Sequence, residues 1–256
     1  MRRNWKLSQN KILDSRDESF FIHYSCESLN DSNECLSPRI TSIVVLNFGK
    51  EQAESFSIHL SAESLGIERD DIKNHYDEIE KDLLTKFNEF LASNIESSYW
   101  IHWNMSNITY GFAHIEHRYN VLTGLKMTSI PDKNKFNLSH ILKERYGKNY
   151  ADNPKLKSLM DLNKDKPRDF LSGEEEVEAF QHGEYIKMHK STLCKVYYFR
   201  SIFNKMAKNK LKTKKKTFFD ICNIIFDSFI IRLIAVVCTL CTFIGIICKL
   251  LNIFHN

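Results

Sequence analysis

Glycine and proline are scarce in this chain of 256 residues, with 8 and 4 copies respectively. Flexible and semi-rigid linkers are usually rich in these residues, so their scarcity argues against long linkers. The hydrophobic fraction of 43% and the charged fraction of 27% are typical of a globular chain rather than a disordered one. The length therefore fits one domain with short appendages.

Paired cysteine motifs are also nearly missing. The cysteines, seven in number, are Cys26, Cys35, Cys194, Cys222, Cys238, Cys241 and Cys248. Only Cys238 and Cys241 form a CxxC, and they lie in an apolar run, where cysteine acts as a small hydrophobic residue. This argues against a disulfide framework and a zinc site. The first ten residues, MRRNWKLSQN, have no apolar core, which argues against a signal peptide and favours a reducing cytoplasm for the bulk of the chain.

Motifs of several large enzyme classes are absent as well. The sequence has no P-loop, GxGxxG, GxSxG or HExxH, and no Ser-His-Asp arrangement can be argued from it. His102, His114 and His117 lack a convincing set of zinc partners and are expected to be packing and surface groups. The glutamates of GEEEVEAF, residues 173–180, are expected on a solvated helix face, because adjacent helical residues point in different directions.

Hydrophobic periodicity predicts a mixed architecture. Strands are predicted at 19–29, 39–48, 54–60 and 99–103, and helices at 67–91, 110–122, 136–146, 155–162 and 174–203, the last splitting near Gly183. The order β-β-β-α-β-α followed by helices is that of a layered α/β domain. A meander of three strands with a fourth after a helix matches a ribonuclease H-like mixed sheet flanked by helices.

Three motifs in residues 19–200 resemble those of the DEDD-type 3′–5′ exonucleases, in the form whose last motif has a histidine. HYSCESL has Ser25 where that family has Asp, and Glu27 where it has Glu. WIHWNMSNITYGF, residues 100–112, has Trp103-Asn104 for the family's His-Asn, and Ile108 or Thr109 for its next Asp. HKSTLC has His189 and then Cys194 for the last Asp.

The resemblance implies a site that has lost its metals. Family members hold two divalent ions with four carboxylates, and serine and neutral thiol are poor ligands for such ions. We therefore expect a pseudo-exonuclease domain over residues 1–204, without enzymatic activity or cofactor, whose vestigial positions are Ser25, Glu27, Asn104, His189 and Cys194. The plainer interpretations are a surface glutamate, a turn or cap asparagine, and a structural histidine.

The C-terminus, residues 217–256, is predicted to be a membrane segment. Residues 233–248 (LIAVVCTLCTFIGIIC) carry no charge, and a crossing is expected at about 229–250, flanked by Arg232 and Lys249. The preceding residues 218–231 (FFDICNIIFDSFII) place Asp220 and Asp227 on one helix face. They are either an interfacial helix before a single transmembrane helix or the first arm of a short hairpin.

A run of lysines precedes this segment and predicts a basic juxtamembrane linker over residues 205–216. Besides Lys205 it contains Lys208, Lys210, Lys212, Lys214, Lys215 and Lys216. Such a run favours a cytoplasmic N-terminal domain and contact with anionic lipid. Nucleic-acid binding is the rival interpretation, and the two are not exclusive.

This layout resembles the membrane effectors of bacterial anti-phage defence that accompany retron reverse transcriptases. The resemblance implies a toxin-like effector of the inner membrane, restrained by a complex of reverse transcriptase and RNA/DNA hybrid, which disrupts the membrane as a homo-oligomer and causes abortive infection. Two alternatives stay open. One is a membrane-tethered, metal-dependent nuclease that uses Glu27 and His189, and the other is a passive membrane-anchored adaptor.

Overall fold

The computed structural model describes residues 4–28, 37–106, 110–214 and 229–254, and in the last range it describes the side chains of 233–247 only. The strands are β1 (Ser19–Cys26), β2 (Ile40–Asn47), β3 (Ala53–Ser57), β4 (Tyr99–His102) and β5 (Lys135–Asn137). The α-helices are α1 (Asn4–Asp14), α2 (Ile58–Leu65), α3 (Tyr76–Asn94), α4 (Phe112–Thr123), α5 (Leu138–Tyr146), α6 (Lys155–Asn163), α7 (Gly173–Gln181), α8 (Tyr185–Ala207) and α9 (Phe229–Phe254).

The strands form one mixed sheet in the order β3-β2-β1-β4-β5. β2 runs antiparallel to both β1 and β3, whereas β1, β4 and β5 are parallel. Every residue of β1 and β2 is buried, as expected for central strands covered on both faces. The predicted α/β class, with a mixed sheet flanked by helices, is confirmed. The carboxyl ends of β1, β4 and β5 meet at one edge, which we term the carboxyl edge.

One face of the sheet packs against α8 together with α1, α5 and α6. Phe21 of β1 and Val44 of β2 lie in the same buried cluster as Phe199 and Phe203 of α8. Phe203 packs edge-on against Phe21, with ring centroids 5.9 Å apart. Burial of each such side chain contributes roughly 1.5–3 kcal/mol, so α8 is a main structural support of the sheet.

The other face packs against α2, α3 and α4. The predicted stripe of α3 is confirmed, since Leu83, Leu84 and Phe87 are buried against this face. Phe20 of β1 stacks on Trp100 of β4, with ring centroids 5.1 Å apart. Alternate residues of β1 thus serve two cores, which explains why Phe20, Phe21 and Ile22 are apolar in succession.

Several boundaries differ from the predictions. The strand predicted at 54–60 ends at Ser57, where α2 begins. The helix predicted at 67–91 is a 3₁₀ turn, Arg69–Asn74, followed by α3. The break follows from local hydrogen bonds, because the Asp71 carboxylate accepts one from Asn74 and a second joins it to the His75 ring. Helix α1 and strand β5 were not predicted, whereas the split near Gly183 is confirmed by α7 and α8.

The described part of the predicted linker, residues 205–214, belongs to the folded domain. Helix α8 continues to Ala207, and Leu211 is buried in the core. The Asn163 side chain donates to the Lys212 carbonyl and accepts from the Lys212 amide, both at 3.0 Å. The Lys214 amide donates to the Tyr150 carbonyl at 2.8 Å. The domain therefore extends ten residues beyond the predicted boundary at 204, to at least Lys214.

Helix α9 carries the uncharged run. The large hydrophobic side chains described between Leu233 and Ile247 are all exposed. Over the part of the chain whose side chains are described, no helix meets the length and hydropathy required to cross a membrane. Asp220 and Asp227 lie outside the described residues, as do the side chains of Arg232 and Lys249.

Candidate functional site

The vestigial positions lie around the carboxyl edge. Ser25 is near the end of β1 and pairs with Ser42 of β2. The Ser25 hydroxyl lies 2.7 Å from the Thr192 hydroxyl, which donates to the Met188 carbonyl, so Ser25 donates to Thr192. One turn earlier on α8, His189 Nδ1 lies 2.8 Å from the Ser42 hydroxyl. The structure therefore brings together two hydrogen-bonded pairs, Ser25–Thr192 and Ser42–His189, which we term the polar row.

Cys194 is not part of this row. It follows Thr192 by two residues, about 200° around a helix, and so faces away from the sheet. Its thiol donates to the Ser191 carbonyl at 3.2 Å and lines a separate cleft with Pro167 and Tyr197. Burial raises the pKa of this thiol to about 12, so it is protonated at neutral pH. The structure places Thr192, rather than Cys194, opposite Ser25.

A buried ion pair between Lys195 of α8 and Glu176 of α7 lies near the polar row. Lys195 Nζ lies 2.6 Å from Glu176 Oε1, and both residues are only 6% exposed. The Ser191 hydroxyl also donates to Glu176 Oε1, at 2.7 Å. The positive charge of Lys195 helps to lower the pKa of His23 and opposes the rise in the pKa of Cys26, which places it near the end of β1. A fixed ammonium group therefore lies close to the carboxyl edge.

The prediction of a solvated face was wrong for Glu176, although Glu174 and Glu175 are exposed. The sequence held a signal for this burial. Glu176 lies three residues before Ala179 and four before Phe180, so it shares their helix face. A lone carboxylate on an apolar face needs a buried cation, and Lys195 supplies it from α8.

His23 is a further buried titratable group near the carboxyl edge, and it is 7% exposed. Burial, and next the charge of Lys195, lower its pKa well below the usual value. Its ring packs edge-on against Phe199 and Tyr110, at centroid distances of 5.4 and 6.4 Å. Within the described ranges its Nδ1 atom has no hydrogen-bond partner. This histidine is therefore a neutral core residue.

The segment WIHWNMSNITYGF is held by aromatic packing. Trp103 stacks on Phe199 at 5.9 Å, and Tyr110 stacks on Tyr24 at 4.6 Å while its hydroxyl donates to the Tyr24 carbonyl. Asn104 is a turn residue in the left-handed region, with φ of 55°, and its amide donates to Asn137 Oδ1. Ile108 and Thr109 lie outside the described residues.

Glu27 is engaged with Arg39. Its carboxylate accepts hydrogen bonds from the Arg39 amide at 3.0 Å and from the Arg39 guanidinium at 3.1 Å. Glu27, like Glu176, is thus paired with a cation. Among the residues that the structure describes, no group of three or more His, Cys, Asp or Glu side chains is arranged to hold a metal ion.

The remaining predicted groups have structural positions. His114 is buried, 3.0 Å from the Tyr24 hydroxyl and 2.9 Å from the Pro38 carbonyl, whereas His117 is exposed, so the packing and surface roles are confirmed. The predicted lipid or nucleic-acid contacts Lys208, Lys210, Lys212 and Lys214 are exposed. Lys214 pairs with Asp152 at 2.6 Å, and Lys215 and Lys216 lie outside the described residues.

Acidification is expected to destabilise the domain through its buried histidines. Burial, and next the charge of His59, lower the pKa of His189 to about 4, and burial lowers that of His102 to about 3. An unfolded histidine has a pKa of about 6.5, so the unfolded chain binds these protons first. The stabilising contribution is complete above that value and is lost as the pH falls towards 4.

Urea unfolding at several pH values between 7.5 and 4.5 measures this loss. His189→Asn should reduce the pH slope by up to about 1.4 kcal/mol per pH unit, the effect of one proton. His117→Asn, at an exposed position, serves as the matched control and should leave the slope unchanged. Equal slopes for His189→Asn and the unaltered chain would contradict the neutral assignment of His189.

No protein-family model, no curated protein and no solved structure matches the chain.

Proposed function

We propose that this protein is a non-enzymatic membrane effector of bacterial anti-phage defence. The observation that carries the proposal is the C-terminal helix, α9. Its described residues 233–247 include no charged side chain, and their large hydrophobic groups are exposed. An exposed apolar surface of this kind is typical of a membrane or protein contact. In the proposed active state, α9 enters the membrane as a transmembrane helix or as one arm of a short hairpin.

The basic segment supports the same proposal. Lys208, Lys210 and Lys212 are exposed on the last residues of the domain, and attraction to anionic headgroups is worth about 1 kcal/mol per lysine near the surface. The positive charge also favours a cytoplasmic domain at the inner membrane.

The carboxyl edge supports a role without catalysis. A metal-dependent nuclease needs free carboxylates for its ions, whereas Glu27 and Glu176 are each bound to a cation and the Ser25 hydroxyl donates to Thr192. The meander β1-β2-β3 continued by parallel β4 and β5 is consistent with the ribonuclease H-like arrangement expected from the sequence. We regard the domain as a pseudo-nuclease whose surface binds a regulator.

The proposal also includes a partner that holds the protein inactive and releases it on infection. By the resemblance in layout, a reverse transcriptase with its RNA/DNA hybrid holds the domain until infection, and released copies associate and disrupt the inner membrane. The mechanism needs no chemical step from this chain. It needs a helix that is excluded from the membrane in one state and inserted in the other.

A membrane-potential dye tests this proposal in cells that express the full chain without other components. The unaltered chain should depolarise the cells. Val237→Arg, near the middle of α9, should abolish depolarisation, because an arginine there disfavours insertion by about 2.5–3.5 kcal/mol. Val237→Leu is the matched control and should behave as the unaltered chain does.

Other outcomes point to the alternatives. Full depolarisation by Val237→Arg would overturn membrane entry by α9. A chain that sediments with membranes without depolarising them would be a passive adaptor. Cleavage of single-stranded DNA by the purified full chain with Mg²⁺ or Mn²⁺, lost in Glu27→Gln, would identify a nuclease.

A further inference from the structure

A separate cleft lies at the carboxyl ends of β4 and β5. It has a volume of about 380 Å³, and its lining includes His102, Met105, Phe112, Asp132, Lys135 and Asn137. In open α/β sheets, ligands bind at the carboxyl ends of parallel strands. The volume falls within the range of small-molecule sites, roughly 300–1,000 Å³.

His102 contributes a hydrogen-bond donor to the lining of the cleft. His102 is only 2% exposed, and its Nδ1 atom accepts the Met105 amide at 3.0 Å. A neutral ring that accepts at Nδ1 carries its proton at Nε2. Because His102 lines the cleft, this N–H is a donor that a ligand in the cleft can meet.

Further donors converge on the same space. Asn137 Oδ1 accepts the amides of Asn104 and His140, which leaves the Nδ2 donors of Asn137 without an acceptor in the described part of the chain. Helix α4 begins beside the cleft, and its N-cap residue, Gly111, provides no side-chain cap for the first-turn amides of Phe112 and Ala113. Free amides at a helix N-terminus attract anions.

The charges at the cleft also favour an anion. Lys135 Nζ lies 5.1 Å above the Phe112 ring and 2.9 Å from Asp132 Oδ1. Asp132 is 98% exposed at its side chain, so this ion pair is weak and leaves Lys135 available to a second partner. Phe112 and Met105 add apolar wall beside these polar groups.

We propose that this cleft binds a small phosphate monoester of mononucleotide size, with the phosphate held by Lys135, the His102 Nε2–H, the Asn137 amide and the first turn of α4. A phosphate has enough acceptor oxygens for these four kinds of donor, and the apolar wall accommodates the organic part. The inference goes beyond the proposed function and does not depend on it, because none of the described side chains of α9 or of the lysine segment lines the cleft.

Calorimetric titration of the full chain in detergent with AMP tests the proposal. AMP should bind, and adenosine should bind at least about tenfold more weakly, since a charge-assisted hydrogen bond contributes about one to two orders of magnitude in affinity. Lys135→Gln should weaken AMP binding by a similar factor. Lys133→Gln, at an exposed lysine two residues away, should stay within about twofold of the unaltered chain.

Acidification provides a second readout. The His102 ring is neutral because burial, and next the charge of Lys135, lower its pKa to about 3. The second pKa of a phosphate monoester is about 6, so AMP should bind more weakly as the pH falls from 7.5 to 5.5. Circular dichroism of Lys135→Gln confirms that the variant is folded.

Four results would overturn the proposal. They are no AMP binding up to about 1 mM, equal affinities for AMP and adenosine, equal losses for Lys135→Gln and Lys133→Gln, and stronger AMP binding at pH 5.5 than at pH 7.5. Depolarisation in cells is measured independently, so failure of the phosphate site is distinguishable from failure of the membrane proposal.

Discussion

Glu176→Ala is expected to lower the free energy of unfolding by about 3–5 kcal/mol. The substitution leaves the Lys195 ammonium, in a residue only 6% exposed, without its carboxylate at 2.6 Å. It also removes the acceptor of the Ser191 hydroxyl. Breaking one side of a buried ion pair is costly because the remaining charge stays buried and unpaired. Chemical denaturation followed by tryptophan fluorescence measures the change.

Two further variants separate the ion pair from the helix. Glu178→Ala, at an exposed position of the same helix α7, should change stability by no more than about 0.5 kcal/mol. Replacing both partners, Glu176→Leu with Lys195→Met, should recover most of the loss, since apolar groups of similar volume often replace a buried pair at little cost. Similar small losses for Glu176→Ala and Glu178→Ala would show that Glu176 is solvated.

Glu80→Ala is expected to cause a loss of similar size, again about 3–5 kcal/mol. Glu80 is 0% exposed and accepts from the Arg118 guanidinium at 2.5 and 3.0 Å. It also accepts from the Ile40 amide, at 2.9 Å. One carboxylate of α3 thus joins α4 to the first residue of β2, and its removal leaves a buried guanidinium without a counterion.

Hydrogen exchange locates this second effect. In Glu80→Ala the Ile40 amide loses its acceptor and should exchange faster, whereas amides in the middle of β2 keep their strand partners. Glu89→Ala, an exposed glutamate on the same helix, is the matched control and should leave Ile40 protected. Unchanged exchange at Ile40 in Glu80→Ala would contradict the link between α3 and β2.

The parts of the fold that the sequence predicts are those with a dense apolar pattern. The β1 and β2 runs, the Leu83–Phe87 stripe of α3 and the break at Gly183 all produce a local signal. Helix α1 does not, because it buries only Trp5 and Ile12 and depends on contacts such as that of the Arg145 guanidinium, 4.4 Å from the Trp5 ring. Strand β5 has three residues and forms only because β4 provides its partner.

In the candidate site, too, the sequence identified some residues but not their contacts. The motif comparison singled out Ser25, Asn104 and His189, and all three lie around the carboxyl edge. Motif spacing did not reveal that Thr192 rather than Cys194 faces Ser25, since that depends on the rotation of α8 about its axis. Nor did it reveal the pairing of Glu176 with Lys195, which are nineteen residues apart on separate helices.

The two hydrogen bonds between the Asn163 side chain and the Lys212 backbone limit how far α9 can lie from the domain. Because the chain is fixed to the domain up to Lys214, the fourteen residues 215–228 are all that separate it from α9. A fully extended chain covers about 3.3–3.6 Å per residue, so these fourteen residues span about 50 Å at most. If α9 is lodged in a bilayer, the nearest part of the domain stays within that distance of the entry point. A partner bound to that part of the domain would then also lie within about 50 Å of the lipid surface.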